Sequence, residues 1–332
     1  MSELRRDPIT GRWVILAAER AARPSDFAEA PPHEEGRFCP FCPGNEGATP
    51  HELLRRRAAD AEGAEAWSVR VFPNRYPALR IEGELVRAAH GLFDRISGVG
   101  AHEVIVETPR HDLAFADMSI DGIAEVLRVW RDRIVDLSRD ERLAYVSVFK
   151  NQGAAAGATL VHEHSQLLAL PEVPRDVAIE AELGADHWRR KQRCLTCDII
   201  RQERGEGVRI VNEGERFVAV CPWASPTPFL VWILPKAHAS HFDSSSDDLL
   251  AALAGTLRSV LRKVGEALEQ PSYNLALSSG PLRGEPSPSA HWRLEVAPAV
   301  TTSGGFERAS GCWINSTPPE EAAAFLRKVA AP

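Results

Sequence analysis

The motif His162-x-His164-x-Gln166 carries the side chains best suited to chemistry in this chain. It follows an apolar, strand-like run (143–149) and a loop of small residues (151–157). In an extended strand, residues two apart face the same way, so two imidazoles and a carboxamide would line one surface. A neutral imidazole can attack phosphorus, a carboxamide can bind a phosphoryl oxygen, and small loop residues let backbone approach a phosphate. The motif therefore predicts phosphoryl or nucleotidyl transfer through a histidine.

The motif alone leaves two plainer interpretations open. Two histidines two residues apart are often a metal-binding pair, and they are also common as surface residues without a chemical role. The rest of the chain has to decide between these interpretations and catalysis.

The composition is that of a globular protein without a membrane or nucleic-acid partner. The chain has 332 residues, 44% of them hydrophobic and 26% charged, which is enough for two core-forming domains. No apolar run reaches the roughly 18 residues that span a membrane, and the first residues lack a signal-peptide core, so we expect a cytoplasmic protein. The net charge of -7 argues against a nucleic-acid-binding surface. A phosphate-bearing ligand must therefore meet a local basic cluster.

Four of the six cysteines form two C-x-x-C pairs. In a cytosolic protein such pairs favour a metal site over a disulfide. A redox role would need a thioredoxin-like βαβ setting, which neither pair has in the sequence pattern. The pairs are Cys39/Cys42 and Cys194/Cys197, whereas Cys221 and Cys312 stand alone.

An internal repeat follows the two C-x-x-C pairs. Each half continues with two strand-like runs, a proline shortly before a histidine, an amphipathic helix, a third strand-like run and a second histidine. The interval from His111 to His162 is 51 residues, and that from His238 to His291 is 53. The predicted strands are 68–72, 103–107 and 143–149, then 217–221, 229–234 and 273–277, and the apolar positions of the helices lie within 123–137 and 249–268.

The repeat predicts two metal sites. Each half supplies two thiols and two imidazoles, the ligand set of a closed tetrahedral zinc site, and four protein ligands make such a site structural. The alternative is that these histidines are scattered surface residues. The predicted ligands are Cys39, Cys42, His111 and His162 for one zinc, and Cys194, Cys197, His238 and His291 for the other.

The repeat also identifies the reactive group by difference. His164 and Gln166 correspond to Arg293 and Glu295 in the second half. Arginine stays protonated and cannot act as a nucleophile, so we expect the first half to be catalytic and the second to be scaffold. The nucleophile is predicted to be His164, with its other ring nitrogen donating to a backbone carbonyl.

These motifs resemble the galactose-1-phosphate uridylyltransferase family, a branch of the histidine-triad superfamily, over nearly the whole chain. The resemblance implies an α+β fold of two tandem histidine-triad-like halves, each an antiparallel sheet with packed helices. We expect the boundary between 1–180 and 181–332. It also implies that His164 attacks the α-phosphate of a nucleotide sugar, that Gln166 hydrogen-bonds the transferred phosphoryl group, and that the protein is a homodimer.

The resemblance assigns further substrate contacts residue by residue. The N-terminal arginines are expected to bind phosphate, although each could equally be a solvated surface charge. An asparagine after the first strand is expected to contact the nucleoside, and two residues near the motif to lie beside the α-phosphate. These residues are Arg20, Arg23, Asn74, Asn151 and Thr159.

The chain departs from familiar uridylyltransferases at several positions. They have proline and glycine where this chain has Glu163 and Ser165, and the stretch 304–313 lacks their Tyr-Glu pair. The second C-x-x-C, the Phe-Lys-Asn-Gln-Gly-Ala run at 149–154 and the Ser165 of His-x-His-Ser-Gln look more like the ADP-glucose phosphorylase branch, which the missing Tyr-Glu pair also favours. We expect uridylyl transfer from UDP-glucose to a hexose 1-phosphate such as galactose 1-phosphate, with adenylyl transfer from ADP-glucose to phosphate as the alternative. A dinucleotide hydrolase or phosphorylase and a zinc-stabilised binding module are the other classes that stay open.

Overall fold

The computed structural model describes residues 2–18, 38–57, 67–283 and 287–329. Arg20 and Arg23 lie outside these described residues, so their predicted phosphate-binding role stays a prediction. Within the described ranges, no helix combines the length and the apolar character that crossing a membrane requires. The homodimer and the cytoplasmic location also stay predictions.

The described residues form many short strands and two long amphipathic helices. The strands are β1 (Glu3–Arg6), β2 (Trp13–Leu16), β3 (Leu54–Arg57), β4 (Trp67–Pro73), β5 (Arg87–His90), β6 (Phe93–Ile96), β7 (Ala101–Val106), β8 (Tyr145–Gln152), β9 (His164–Leu170), β10 (Ile210–Glu213), β11 (Phe217–Val220), β12 (Val231–Pro235), β13 (Tyr273–Ser278), β14 (Arg293–Pro298) and β15 (Trp313–Asn315). The helices are α1 (Ile120–Leu137), α2 (Arg175–Lys191), α3 (Leu195–Glu206), α4 (Asp247–Ala267), α5 (Gly305–Ser310) and α6 (Pro319–Lys328).

The two long helices, α1 and α4, begin in the same way. Ser119 precedes α1 and accepts a hydrogen bond from the backbone N–H of Gly122, while Ser246 precedes α4 and accepts from Leu249. Each serine satisfies one of the unpaired N–H groups at a helix start. The apolar stripes predicted from helical spacing are buried against the sheet and against each other, which confirms both helices.

In the described part of the chain, ten strands form one sheet in which every neighbouring pair is antiparallel. From one edge to the centre the order is β3-β4-β7-β9-β8, and from the other edge it is β10-β11-β12-β14-β13. The two orders match strand for strand, and the halves meet where β8 pairs with β13. The α+β class with two related halves is therefore confirmed.

The two faces of the sheet have different coverings. Helices α1, α4 and α6 bury one face in the main hydrophobic core. On the other face, a small cluster that includes Phe41, Phe72 and Val104 belongs to the first half. A second cluster packs Ile9, from the N-terminal segment, together with Trp232 and other residues of the second half. His164 lies on the face of the smaller clusters, where its ring packs 5.3 Å from that of Phe41.

The N-terminal strands do not join the large sheet. β1 pairs with β2, and β2 pairs in parallel with β15 near the C-terminus, which closes a separate three-stranded sheet. Residue 180 lies inside α2, and the two halves share one sheet. The division at 180/181 stays a prediction.

Candidate functional site

His164 is the first residue of β9, and its ring is held by the turn before the strand. Nδ1 lies 2.8 Å from the carbonyl oxygen of His162, so Nδ1–H donates and Nε2 keeps its lone pair. Only 7% of the residue is exposed, and burial, with the nearby Lys150 charge, lowers the pKa of His164 to about 4. The imidazole is neutral near pH 7, as a nucleophile must be. The expected hydrogen bond to a backbone carbonyl is confirmed.

His162 has different partners from His164. It precedes β9, and its Nδ1 lies 3.6 Å from the Sγ atoms of both Cys39 and Cys42. The strand begins only at His164, so strand alternation does not place His162, although both imidazoles pack against the ring of Phe41, at 6.1 and 5.3 Å. Burial lowers the pKa of His162, so this ring also favours the neutral form that a metal ligand needs.

Gln166 lies two residues along β9 and shares the face of His164. Its Oε1 lies 2.9 Å from Nε2 of His102 on β7, a contact that sequence reasoning missed. The alternation of side chains along β7 could have indicated this contact. His102 lies two residues before Val104, which pairs directly with Gln166, so both β7 residues face the site.

Asn151 lies on β8, two residues beyond Phe149, which pairs with Gln166 of β9. Its Oδ1 accepts a hydrogen bond from Nδ2 of Asn274 on β13 at 2.8 Å. The same Nδ2 donates to the carbonyl oxygen of Ala156 at 2.9 Å. The second half of the chain thus braces the loop of small residues that follows Asn151.

Two glycines give that loop its conformation. Gly153 and Gly157 have φ values of +81° and +88°, which glycine adopts readily and other residues rarely do. A Cβ atom at position 153 would also collide with the side chain of Ser272. Thr159 follows in the same connection and is exposed, and its role beside an α-phosphate stays a prediction.

Asn74 follows β4 and contacts the same ring nitrogen of His102, Nε2, that contacts Gln166. Its Oδ1 accepts from the backbone N–H of Tyr76 at 2.9 Å, and its Nδ2 lies 3.2 Å from Nε2 of His102. A cavity of about 420 Å³ is lined by Asn74, His102 and the connection 75–82, among others. The structure therefore brings His164, Gln166 and Asn74 to one region, where both amides contact Nε2 of His102.

The first Cys/His cluster has the spacing of a tetrahedral metal site. Its four ligand atoms lie within 4.8 Å of one another, and the sulfur–nitrogen distances are 3.4 Å between Cys42 and His111 and 3.6 Å between either cysteine and His162. Zinc bonds of about 2.3 Å to sulfur and 2.0 Å to nitrogen place such ligands roughly 3.6 Å apart. His162 Nε2 donates to the carbonyl oxygen of Thr108 at 2.7 Å, which leaves Nδ1 for the metal.

The second cluster repeats this geometry. His291 Nδ1 lies 3.7 Å from Cys194 and 3.5 Å from Cys197, and Cys197 lies 3.6 Å from His238 Nδ1. His291 Nε2 donates to the carbonyl oxygen of Pro235 at 3.0 Å, as His162 does to Thr108. A hydrogen bond from Cys197 lowers the pKa of Cys194 and favours its thiolate. Both sets of predicted ligands are brought together and could each hold a metal ion.

Arg293 takes the position of His164 in the second half. It is the first residue of β14, and its guanidinium binds both oxygens of Glu180 at 2.9 Å and Glu295 at 2.7 Å. Its cation also lies 4.8 Å from the ring of Trp232. The second half therefore carries a paired cation and no nucleophile at this point.

A buried ionic cluster lies behind His164, on the helix side of the sheet. The Lys150 ammonium donates to Glu107 at 2.6 Å and to the carbonyl oxygen of His164 at 3.2 Å, and it also contacts Glu163. Glu163 in turn accepts from the backbone N–H of Phe115 at 3.0 Å. The motif residue that departs from the proline of uridylyltransferases therefore helps to hold the turn that carries the nucleophile.

Comparisons with known proteins show the family to which this chain belongs. Residues 1–174 match the family model for the N-terminal domain of galactose-1-phosphate uridyl transferase. ADP-glucose phosphorylase of Arabidopsis thaliana is 37% identical over 98% of this chain and 93% of its own length. Galactose-1-phosphate uridylyltransferase of Thermotoga maritima is 29% identical over 99% of this chain and 98% of its own length.

Solved structures extend the likeness to the whole fold. A crystal structure of Arabidopsis thaliana ADP-glucose phosphorylase with bound ADP-glucose has a TM-score of 0.85 and 34% identity, and the match covers 100% of both chains. A uridylyltransferase structure has a TM-score of 0.76 and 27% identity, with coverage of 99% of this chain and 98% of the other. The chain thus belongs to the galactose-1-phosphate uridyl transferase family and is an enzyme of that nucleotidyltransferase family.

Proposed function

We propose that this enzyme transfers a nucleotidyl group through a covalent intermediate on Nε2 of His164. Nε2 attacks the α-phosphorus in line, the phosphoanhydride bond breaks, and the sugar 1-phosphate leaves with the electron pair. A phosphate-bearing acceptor then attacks the same phosphorus and frees Nε2. The observation that carries this proposal is the buried, neutral His164 ring, whose Nδ1–H donates to the carbonyl oxygen of His162 at 2.8 Å.

That hydrogen bond also suits the charge that develops during the attack. As the phosphorus–nitrogen bond forms, the imidazole becomes positive, and the carbonyl oxygen of His162 is already in place beside Nδ1–H. The leaving sugar phosphate is a weak base, so the step needs no strong general acid. The phosphoryl oxygens would be met by the amide of Gln166, by Asn151 and Thr159, and by backbone N–H groups of the 151–157 loop. Asn74 would contact the nucleoside.

For the donor and acceptor, we infer ADP-glucose and inorganic phosphate, so that the products are glucose 1-phosphate and ADP. The support is the higher identity to the Arabidopsis thaliana ADP-glucose phosphorylase, 37% against 29% for the Thermotoga maritima uridylyltransferase. The TM-scores of 0.85 and 0.76 favour the same choice. Glu163 and Ser165, which depart from the uridylyltransferase motif, point the same way. The alternative from the sequence therefore replaces uridylyl transfer as the leading proposal.

Uridylyl transfer from UDP-glucose to a hexose 1-phosphate such as galactose 1-phosphate is the second candidate. It is favoured by the family model and by a uridylyltransferase that matches over 99% of this chain. Both candidates use His164 in the same way and differ only in the base and the acceptor. A hydrolase and a non-enzymatic zinc module have no comparable support.

We also propose one structural zinc in each Cys/His cluster. The Sγ–Nδ1 distances of 3.4 to 3.7 Å suit this ion, and four protein ligands leave no open position for catalysis. The first zinc would bind Nδ1 of His162, whose carbonyl oxygen holds the ring of His164. Its contribution to the reaction is therefore to order the turn before β9, and no chemical step passes through it.

The test is to trap the intermediate. Holoenzyme is incubated with ADP-glucose labelled at the adenylyl phosphate, without an acceptor, and digested for mass spectrometry. We expect one acid-labile, base-stable adenylyl group per chain on the peptide that contains His164, and its release as ADP when phosphate is added. Turnover without a labelled protein would contradict the covalent mechanism. Labelling of the protein by UDP-glucose but not by ADP-glucose would favour the second candidate.

A further inference from the structure

The ring of His102 has one defined tautomer. The backbone N–H of Ala78 donates to Nδ1 at 3.1 Å, so Nδ1 is an acceptor and carries no proton. The neutral ring must then carry its proton on Nε2. Nε2 is the nitrogen that faces Gln166, with Oε1 at 2.9 Å.

This tautomer determines which end of the Gln166 amide faces His102. A carboxamide has an acceptor oxygen at one end and two N–H donors at the other, and its terminal torsion allows either end to face a partner. Because Nε2–H of His102 donates, it selects the oxygen Oε1. The N–H donors of Gln166 are then free to bind a phosphoryl oxygen. In the reversed amide, the carboxamide oxygen would face the phosphoryl oxygen, and both are acceptors.

The neighbouring amide does not compete for this proton. Asn74 Nδ2 lies 3.2 Å from Nε2 of His102, but Asn74 Oδ1 accepts from the backbone N–H of Tyr76, which defines Nδ2 as a donor. Two donors face each other there, so that approach adds no hydrogen bond in this tautomer. Gln166 Oε1 is the acceptor that His102 serves.

We propose that His102 is a positioning residue for nucleotidyl transfer, which holds the amide of Gln166 with its N–H groups toward the phosphoryl oxygens. This inference rests on the proposed function, because it concerns how the reacting phosphoryl group is met. His102 acts only through Gln166 and need not touch the substrate.

A purely structural role for His102 makes a different prediction. Its Nδ1 anchors Ala78 and its carbonyl oxygen accepts from the backbone N–H of Asn74 at 2.7 Å, so the ring could simply hold the 74–86 connection. Loosening that connection would weaken donor binding whatever residue stands at position 166. If His102 instead orients the amide of Gln166, replacing His102 should affect the reaction only while Gln166 is present.

A double-mutant cycle separates the two roles. The rate of adenylylation of His164 at saturating ADP-glucose is measured for wild type, His102→Phe, Gln166→Ala and the double variant. We expect His102→Phe to slow the step by about tenfold or more in the wild-type background, as misplaced transition-state contacts do. In the Gln166→Ala background the same change should have less than about a twofold effect, because residues that act as a unit are not additive.

Arg142 supplies the matched control. It donates to the carbonyl oxygens of Gly83 at 2.6 Å and Ile81 at 3.1 Å, in the same 74–86 connection, and has no contact with Gln166. Arg142→Ala should raise the KM for donor by the same factor in both backgrounds and leave the saturated rate unchanged. His102→Gln restores a donor and should recover part of the rate that His102→Phe loses.

The outcomes distinguish this inference from the function on which it rests. A labelled wild type with equal effects of His102→Phe in both backgrounds overturns the positioning role alone. A wild type that turns over without a label overturns the proposed function and this inference with it. Thermal melting of each variant shows whether it is folded. If His102→Phe is not folded, His102→Gln is compared with wild type in its place.

Discussion

His164 and Arg293 are the first residues of equivalent strands, β9 and β14, in the two halves of one sheet. Both follow a histidine of a Cys/His cluster by two residues. That histidine donates its Nε2–H to a backbone carbonyl oxygen, of Thr108 just after β7 in the first half and of Pro235 at the end of β12 in the second. One half presents a neutral imidazole there, and the other presents a guanidinium held by two carboxylates. The duplicated scaffold therefore carries a neutral imidazole, the proposed nucleophile, at one of these positions and a paired guanidinium at the other.

His164→Ala should abolish turnover and leave the fold and both metal sites intact. The change removes the proposed nucleophile, which belongs to neither Cys/His cluster. Steady-state assays and metal analysis of the same preparation test this. His162→Ala is the matched change, and it should lose metal and stability together because site formation is coupled to folding. Metal loss in His164→Ala with metal retained in His162→Ala would reverse the two assignments.

The purified chain should contain two zinc ions. Elemental analysis should find one equivalent lost in Cys39→Ser and the other lost in Cys194→Ser, since each variant removes a ligand from a different cluster. Cys312→Ser is the control, because Cys312 belongs to neither cluster and both equivalents should remain. A single equivalent that survives Cys194→Ser would eliminate the second site.

The kcat/KM for ADP-glucose with phosphate should exceed that for UDP-glucose with galactose 1-phosphate. The two kcat/KM values are compared because their ratio reports how differently the enzyme binds the two transition states. Both reactions can be followed by release of glucose 1-phosphate, with each acceptor varied at saturating donor. A ratio that favours the uridine pair would reverse the donor assignment and leave the role of His164 unchanged.

Arg293→Ala should destabilise the fold by about 3 kcal/mol, as the loss of one partner of a buried ion pair does. The side chain of Arg293 is only 6% exposed and pairs with Glu180 and Glu295, which would be left without their cation. Urea unfolding measures the change. Arg189→Ala is the control, because its side chain is 75% exposed in a surface pair, and such pairs contribute about 1 kcal/mol or less. Equal effects of the two changes would contradict this account.

Gly153→Ala should lower both stability and activity. Its φ of +81° and the collision of a Cβ with Ser272 force the loop after Asn151 away from β13. Alanine at such a conformation costs more than about 1 kcal/mol. Gly47→Ala is the control, because nothing lies within 4 Å of a Cβ at that position. Unchanged turnover in Gly153→Ala would show that the loop conformation is not needed for the reaction.

The sequence alone determined the residue types and their order, and these were enough to predict His164 as the nucleophile and to group the ligands of both Cys/His clusters. Thiols and imidazoles repeated at matching intervals define a ligand set whatever the path of the chain between them. The helices around 123–137 and 249–268 were also predictable, because a 3.6-residue period of apolar side chains is local information. One local prediction failed at His162: the alternation pattern placed it in a strand, but β9 begins two residues later, at His164.

Only the tertiary structure decided which side chains meet across the sheet. His102 reaches Gln166 because β7 pairs with β9 in a register that sets Val104 opposite Gln166, 62 positions apart in the chain. Asn274 braces the loop near Asn151 because the two halves join through β8 and β13. Such contacts depend on the pairing register of distant strands, and a shift of one residue would turn each side chain to the opposite face. Residue spacing along the chain carries no record of that register.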